Sequence, residues 1–331
     1  MAASCAQLLQ MRRMRLAMLL FCVCCALGTL VDLADVLHRR MRLAQAGSRA
    51  AAPACSTHLS VLSARGNAAH RAVMRRTWQR APGSMHFFVG DQGCPLPPER
   101  RAPQKCAPVG RAGPRAGAGT GEAARRHARS ERLLDAALVR EQREHADLVL
   151  LPIVDHYHNL TAKVLLALEW HLQHHRNASF FVKVDDDQSA EDVALLERAL
   201  CARRLSAKVA AGGDVWAGQY KHHLYVHRYG RAAEKTYRRD SWWFAQYPPF
   251  MNGAFYALSR GLALRVARLA RQHPAELQHF TGEDLNMAHA IRQLHRPALS
   301  VVKIREFRDW FGPLVWHLGT HAYGLLEWLQ L

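Results

Sequence analysis

What this 331-residue sequence has little of is acid: 27 Asp and Glu stand against 45 Lys and Arg, for a formal net charge of +18. That imbalance alone would admit a nucleic-acid partner. The excess is mostly Arg and runs along the whole chain, whereas a nucleic-acid binder concentrates it on one element. Zinc-finger spacing, an RNP-like aromatic pair and a lone basic helix are all missing, so no nucleic-acid partner is expected. The G-x-x-x-x-G-K-[ST] phosphate loop is missing too, which argues against a kinase or nucleotidyltransferase built on one. The Gly-rich tract from Gly110 to Gly121 lacks its Lys and follows no strand. A basic surface of this kind serves rather to attract anionic ligands.

Paired cysteines are also scarce. Cys5, Cys22, Cys24 and Cys25 lie in or before an apolar segment, and Cys55, Cys94, Cys106 and Cys201 follow it. None of the latter four has the C-x-x-C spacing of a zinc site. An even set suits an oxidising lumen and allows three pairings. Cys94 and Cys106 enclose a Pro-rich loop, so a local bridge there is the simplest guess. Asn159-Leu160-Thr161 and Asn177-Ala178-Ser179 are N-glycosylation sequons.

One apolar run, Leu16 to Val31, carries no charge and follows Arg12, Arg13 and Arg15. It is a little short of the ~20 residues of a spanning helix, but thin early secretory membranes accept shorter spans. A cleaved signal peptide is the rival reading. It needs a small-x-small site, and Val31-Asp32-Leu33-Ala34-Asp35 follows instead, with Ala44-Gln45-Ala46 farther downstream. Arg39, Arg40 and Arg42 on the far side weaken the charge asymmetry. The expectation is a cytoplasmic tail over 1–15, a type II membrane anchor over 16–31, a stem over 32–56 and a lumenal domain over 57–331.

Within that domain, strands are expected at Thr57–Ala64, Met85–Val89, Asp147–Pro152 and Phe180–Val184. Helices are expected at His70–Arg80, Leu133–His145, Val164–His174, Leu262–Arg271 and Asp284–Leu294. The Gly/Ala/Pro/Arg composition of 107–130 predicts a flexible insertion. Strands alternating with helices predict an α/β fold with a mixed, mostly parallel sheet. Ligands of such sheets bind beyond the carboxyl ends of strands. Asp185, Asp186 and Asp187 stand at one such end. Adjacent carboxylates repel one another, and hard oxygen ligands without a thiolate suit Mn²⁺ or Mg²⁺. The bland reading is an Asp-rich loop that caps the helix beginning near Glu191.

The surrounding residues resemble one family. Arg71-Ala-Val-Met-Arg75-Arg76-Thr77-Trp78 is similar to an R-x-x-x-R-x-T-W block, and Phe87-Phe88-Val89-Gly90 to the strand that follows it. Glu144-His-Ala-Asp147 and Asp155-His-Tyr157-His-Asn159-Leu160-Thr161-Ala-Lys163 resemble E-x-x-D and D-x-Y-x-N-L-T-x-K blocks. Lys183-Val-Asp185-Asp186-Asp187 resembles K-x-D-D-D. Tyr247-Pro248-Pro249-Phe250-Met-Asn252-Gly253-Ala-Phe-Tyr256 resembles Y-P-P-Y-x-x-G-x-G-Y. Glu283-Asp284-Leu285 resembles E-D-V, and Val315-Trp-His317 with Trp328 resembles a closing V-x-H…W. In this order they resemble the β-1,3-galactosyltransferase family, which includes N-acetylglucosaminyl- and N-acetylgalactosaminyltransferases. The match departs at Ala254-Phe255, where the second Gly of G-x-G-Y is missing. It departs again at Met287-Ala288-His289-Ala290, where a Cys-Gly is usual.

The resemblance implies a GT-A type nucleotide-sugar-binding fold, a UDP-sugar donor, a glycan acceptor on protein or proteoglycan, a Golgi or ER membrane location and an inverting mechanism. By position it makes Asp284, with Glu283, the catalytic pair. Arg71, Arg75, Lys163, Asp185 and Asp186 would face the donor. Tyr247, Asn252 and Gly253 would face the acceptor. Asp187, Asp185 and His317 would hold Mn²⁺ (or Mg²⁺). An inactive lumenal scaffold or glycan-binding protein of the same fold is the alternative, and the intact Asp triplet and Glu283-Asp284 argue against it.

Overall fold

Runs of consecutive apolar residues in short strands demand cover on both faces of a sheet, and that demand builds this domain. The computed structural model describes residues 55–78, 81, 83–101, 106–107, 120–222, 224–226, 245–295 and 299–304. Seven strands form one sheet: β1 (Thr57–Leu62), β2 (Met85–Gln92), β3 (Leu148–Val154), β4 (Phe180–Asp185), β5 (Val215–Lys221), β6 (Phe250–Ser259) and β7 (Ser300–Lys303). Their order is β3-β2-β1-β4-β6-β5-β7. Every pairing is parallel except the two made by β6, which runs against β4 and β5.

Alternation along the strands assigns the helices to faces. Leu59, Val61, Phe87, Phe180, Val182 and Phe255 pack with Met74 and Trp78 of α1 (Ala68–Trp78), Leu138 of α2 (Thr120–His145) and Val193 and Leu196 of α4 (Ala190–Leu200). The interleaved Phe88, Phe181, Tyr256 and Leu258 pack with Val164 and Leu168 of α3 (Leu160–His174). On the same face lie Leu262 and Val266 of α6 (Arg260–Gln272) and Leu285 and Ile291 of α7 (Glu283–Gln293). The short α5 (Arg203–Ala210) completes the connection to β5.

This winding creates one special place. From β1 the chain steps outward to β2 and β3, then returns to β4 on the other side of β1. The loops leaving β1 and β4 therefore diverge and leave a crevice at their carboxyl ends. Asp185 closes β4 in register with Leu62 at the end of β1. Antiparallel β6 brings its first half to the same end, since Phe255 pairs with Val184.

The expected insertion is shorter than its composition suggested. Helix α2 begins at Thr120 rather than near Leu133. Glu, Ala and Arg after Gly121 are good helix formers, and Arg126 bonds Glu122 one turn away at 2.7 Å. Residues 108–119 lie outside the described residues. So do the apolar run 16–31, the stem to residue 54, and His317. Among the described residues no helix is long and apolar enough to cross a membrane.

Two disulfides tie the domain. Cys94–Cys106 is the local bridge the spacing suggested, and Cys55–Cys201 joins residues 146 apart, linking the approach to β1 with the end of α4. Closing a longer loop restricts the unfolded chain more. Cys55→Ser should therefore lower the unfolding free energy by about 5 kcal/mol and Cys94→Ser by about 3 kcal/mol. Urea unfolding of each variant without reductant reads the difference. Equal losses would remove the long bridge from its structural role.

Candidate active site

The three aspartates sit together in sequence but do different things. Asp186 turns back into the fold, where its Oδ2 accepts from Ser63 Oγ at 2.6 Å and from Asn67 Nδ2 at 2.9 Å. It joins the loop after β4 to the loop after β1. Asp185 Oδ1 accepts from Lys183 Nζ at 2.7 Å. Asp187 is exposed, and its Oδ1 accepts from the neighbouring Gln188 side chain at 2.6 Å. None of them caps α4. Ser189 does, accepting from the Asp192 backbone N–H at 3.2 Å, so the capping explanation of the acidic cluster falls away.

Across the crevice stands the start of α7. Glu283 is buried; its Oε1 lies 3.1 Å from Lys183 Nζ, and its Oε2 accepts from Tyr256 Oη at 3.0 Å. Asp284 keeps a partly exposed edge. Its Oδ2 accepts from the Gly253 N–H at 3.0 Å and its Oδ1 from the Leu285 N–H at 2.9 Å. Two backbone donors thus fix the plane of that carboxylate. Glycine at 253 leaves the two carboxylates room, because a Cβ would stand 3.1 Å from Glu283 Oε1 and 3.4 Å from Asp284 Oδ2 and would press on both. Lys183 also donates to the Gly253 carbonyl. It is the ammonium that Asp185, Glu283 and β6 share.

Burial sets the electrostatics. Burial pushes the Asp185 carboxyl up to about 6 despite Lys183, with repulsion from Glu283 and Asp187 adding to it. The side chain still keeps an open edge toward the crevice, with 39% of its surface accessible. Burial likewise raises Glu283 and Asp284 against the pull of Lys183. Tyr157, in the turn before α3, is raised by burial and then by Asp284, Glu283 and Asp185. Its phenol therefore feels the same negative field. Sequence reasoning quoted Tyr157, Lys183 and Tyr256 only as parts of motifs and gave none of them a role.

The basic residues expected to face the donor are engaged by the fold. The fully buried Arg71 forms a two-pronged pair with Glu141 at 2.8 and 2.7 Å and also donates to Ser63 Oγ at 2.9 Å. Arg75 reaches Glu141 at 2.8 Å and clasps Asp147 at 2.8 and 2.7 Å. Burial alone would raise Glu141, yet the Arg71 and Arg75 bonds hold it below the ordinary range. Lys163 is buried too, with Nζ 2.8 Å from Asp155 and 2.7 Å from the Ser63 carbonyl. Arg71 and Lys163 hold the loop after β1, and so Asp186, in place, while Arg75 ties α1 to Glu141 and Asp147. Glu141 and Asp147, missed as partners, lie 70 and 72 residues from these arginines.

The expected acceptor residues also divide. Gly253 borders the two carboxylates, and Asn252 Oδ1 accepts from the Ala254 N–H at 3.0 Å. Tyr247 is buried with its ring edge-on to Phe280. Asn159 donates its amide to the Val154 carbonyl at 2.8 Å instead of capping α3, and Thr161 accepts from Asn286 of α7 at 2.9 Å. Beside the aspartates opens a cleft of about 500 Å³ between α1 and the start of α4, lined by His70, Thr77, Trp78, Asp186, Asp187 and Glu191 among others. A cavity of similar size near Trp216, Tyr220 and Arg292 touches none of the crevice carboxylates.

A sequence model of the galactosyltransferase family matches residues 126–291, from α2 through the crevice carboxylates to α7. The chain belongs to the galactosyltransferase family. Among curated members of similar sequence, beta-1,3-galactosyltransferase 6 of Mus musculus is 32% identical over 242 residues, 72% of this chain and 62% of that protein. UDP-GalNAc:beta-1,3-N-acetylgalactosaminyltransferase 2 of Danio rerio is 31% identical over 153 residues, 46% of this chain and 28% of that protein. The human UDP-GlcNAc:betaGal beta-1,3-N-acetylglucosaminyltransferase 8 is 27% identical over 238 residues, covering 71% of this chain and 49% of its own length. The chain thus spans between about a quarter and two thirds of these relatives. Its two departures from the family pattern fall partly in the core, because Phe255, Met287 and Ala288 are buried.

Whether a hard cation fits can be judged from the donor set. Asp185, Asp187, Glu283 and Asp284 meet around the crevice, and Lys183 is the cation that pairs with Asp185 and Glu283. Asp185 Oδ2 and Asp187 Oδ2 accept no hydrogen bond from the described residues. Unsatisfied carboxylate oxygens with surplus negative charge suit an oxygen-seeking divalent ion.

Removing the shared ammonium should be costly. Lys183→Met leaves Asp185 and Glu283 without their cation and should destabilise the metal-free chain by about 3–5 kcal/mol at neutral pH. Protonating the stranded carboxyls relieves the strain, so the loss should shrink as pH falls to 5. Urea unfolding at the two pH values decides, and a loss independent of pH would mean that the carboxylates are not what Lys183 neutralises.

Proposed function

We propose that this chain is an inverting β-1,3-glycosyltransferase of GT-A type. On this reading it transfers galactose or an N-acetylhexosamine from a UDP-sugar to a glycan acceptor on protein or proteoglycan, as a type II protein of the Golgi membrane. Family membership and the relatives' activities support the reaction class. The observation that carries the reading is Asp284: a partly exposed carboxylate, aligned by two backbone N–H groups, that shares a crevice with Asp185 and Asp187.

In direct displacement, the acceptor oxygen forms a bond to the anomeric carbon while the bond to UDP breaks. The hydroxyl proton passes to Asp284. Burial raises the pKa of this carboxyl, which moves it toward the working pH and improves a general base. Glu283 is less suited, since Lys183 and Tyr256 occupy its oxygens. Its part is to keep Lys183 and β6 in register. Asp187 and Asp185 would hold Mn²⁺ or Mg²⁺, joined by His317. The bound ion would supply positive charge for the departing diphosphate. The cleft beside Trp78 and Thr77 has the size and position for the nucleoside. Arg71 and Lys163 serve the donor indirectly, by fixing the loop that anchors Asp186, and Arg75 by holding Glu141, the partner of Arg71.

A panel of UDP-sugars with simple β-linked acceptors, assayed with the full chain, tests the reading. Asp284→Asn should bind UDP as the parent does yet lose about 10²–10⁴-fold in transfer. Asp187→Ala should weaken Mn²⁺-dependent UDP binding. Transfer by Asp284→Asn within a few-fold of the parent would show that Asp284 is not the base, and no transfer with any donor would favour a scaffold.

Proton competition gives a separate check. The Asp185 carboxyl is raised to about 6, so its carboxylate form is lost as pH falls through that value. Mn²⁺ affinity, measured by titration calorimetry, should therefore weaken between pH 7.5 and pH 5. In Asp185→Asn the affinity should be lower at pH 7.5 and the further loss toward pH 5 smaller. A parent whose affinity does not change would exclude Asp185 from the cation site.

A further inference from the structure

At the other end of the sheet a group of histidines occupies a position normally given to apolar side chains. His58 lies at the start of β1 and His86 at the start of β2. Because Ser60 pairs with His86, these residues share the face covered by α3. His171 and His175 come down onto them from the last turn of α3 and its C-cap. His58 Nε2 lies 2.9 Å from His86 Nδ1, and His58 Nδ1 lies 3.0 Å from His171 Nδ1. His58 and His175 stack with ring centroids 3.7 Å apart. Trp170, Phe88 and Phe181 wall the group in.

Three features set this cluster apart from a satisfied polar core. No carboxylate among the described residues forms an ion pair with His58, His86, His171 or His175, and the longer-range pull of Asp147 on His86 is outweighed by burial and by His175. The Nε2 atoms of His171 and His175 are buried without a hydrogen-bond partner, which costs about 1–3 kcal/mol each. And one ligand nitrogen from each of His58, His86 and His175 lies within 4.8 Å of the other two. The second group of this kind, Glu276, His279 and His289, is instead explained by its own bonds, since Glu276 accepts from His289 at 3.0 Å.

We propose that His58, His86 and His175 bind a Zn²⁺ ion at the amino ends of β1 and β2, apart from the carboxylate crevice. Zinc takes neutral imidazoles with Zn–N of about 2.0–2.1 Å, and three such ligands leave a fourth, open position. Burial together with repulsion from neighbouring imidazoles lowers the His58 pKa far below its ordinary value and takes His86 down to about 4. Neutral imidazole is the ligating form. His175 supplies the orphaned nitrogen. It lies half-buried beyond the end of α3, and a turn of its ring out of the stack with His58 brings that nitrogen onto the ion. His86 and His175 are partly exposed, so water would fill the fourth position. Imidazole ligands favour zinc, while the carboxylates at the opposite end favour Mn²⁺ or Mg²⁺, so the two ends would not compete for one ion.

The test uses the full chain stripped with chelator. The expected result is one tightly held Zn²⁺ per chain, kept by Asp187→Ala and by His289→Gln. His86→Gln and His175→Gln, both at half-buried positions, should each weaken it by at least about tenfold. Co²⁺ loaded in its place should give the intense visible absorption of a tetrahedral site. Retention of Zn²⁺ unchanged in both histidine variants would overturn the proposal. If those variants misfold, the parent alone still decides: a stripped chain that holds no Zn²⁺, or whose Co²⁺ form shows only the weak octahedral spectrum, excludes the site.

Discussion

A buried ammonium organises the crevice end of this protein. Lys183 is almost wholly enclosed in β4, and it reaches Asp185 on its own strand, Glu283 at the head of α7 and the Gly253 carbonyl on β6. Three elements distant in sequence meet on one nitrogen. A charge so placed is tolerated only if its partners are held as firmly as it is. Tyr256 meets that need by bonding Glu283, and Gly253 does so by leaving no Cβ in the way. The position of Asp284, one residue on, follows from the same lock.

The second lock lies on the β1 side of the crevice. Arg71 and Arg75 fasten α1 to Glu141 of α2 and to Asp147 before β3, while Lys163 and Asp155 fasten α3 to the loop after β1. Ser63 takes part in both sets, donating to Asp186 while receiving from Arg71. The charged residues expected to face the donor are thus paired with carboxylates of the fold. A guanidinium already paired with a carboxylate has little field left for a diphosphate, but a rigid loop that positions an aspartate is itself a catalytic asset.

The sequence reveals much of this and misses the rest for physical reasons. Strand and helix positions follow from apolar runs and periodicity, because burial on two faces is a strong constraint. The early start of α2 was hidden by its composition, since Ala, Arg and Glu serve helices and solvated loops equally well. The aspartate cluster stands out because adjacent carboxylates at a strand end repel one another, whereas Glu283-Asp284 begins a helix, where acids are favoured anyway, and stands out only through the family pattern. Their division of labour does not stand out. Only packing shows that Asp186 is a strut, that Ser189 is the cap of α4, and that the buried Glu283 differs from the half-open Asp284. The partners of Arg71 and Arg75 come from the far end of α2 and beyond, a distance at which no local pattern speaks.

The two ends of the sheet follow opposite rules of charge. At the carboxyl ends of β1 and β4, acids gather around a single lysine, and burial raises their proton affinity. At the amino ends of β1 and β2, imidazoles gather without an acid, and burial lowers theirs. Each arrangement carries a cost that the protein alone does not remove: surplus negative charge in one, orphaned ring nitrogens in the other. A divalent ion would relieve both, a hard one among carboxylate oxygens and a softer one among imidazoles. Because the strands between them are fully buried, one rigid sheet separates the two environments, and each keeps its own chemistry.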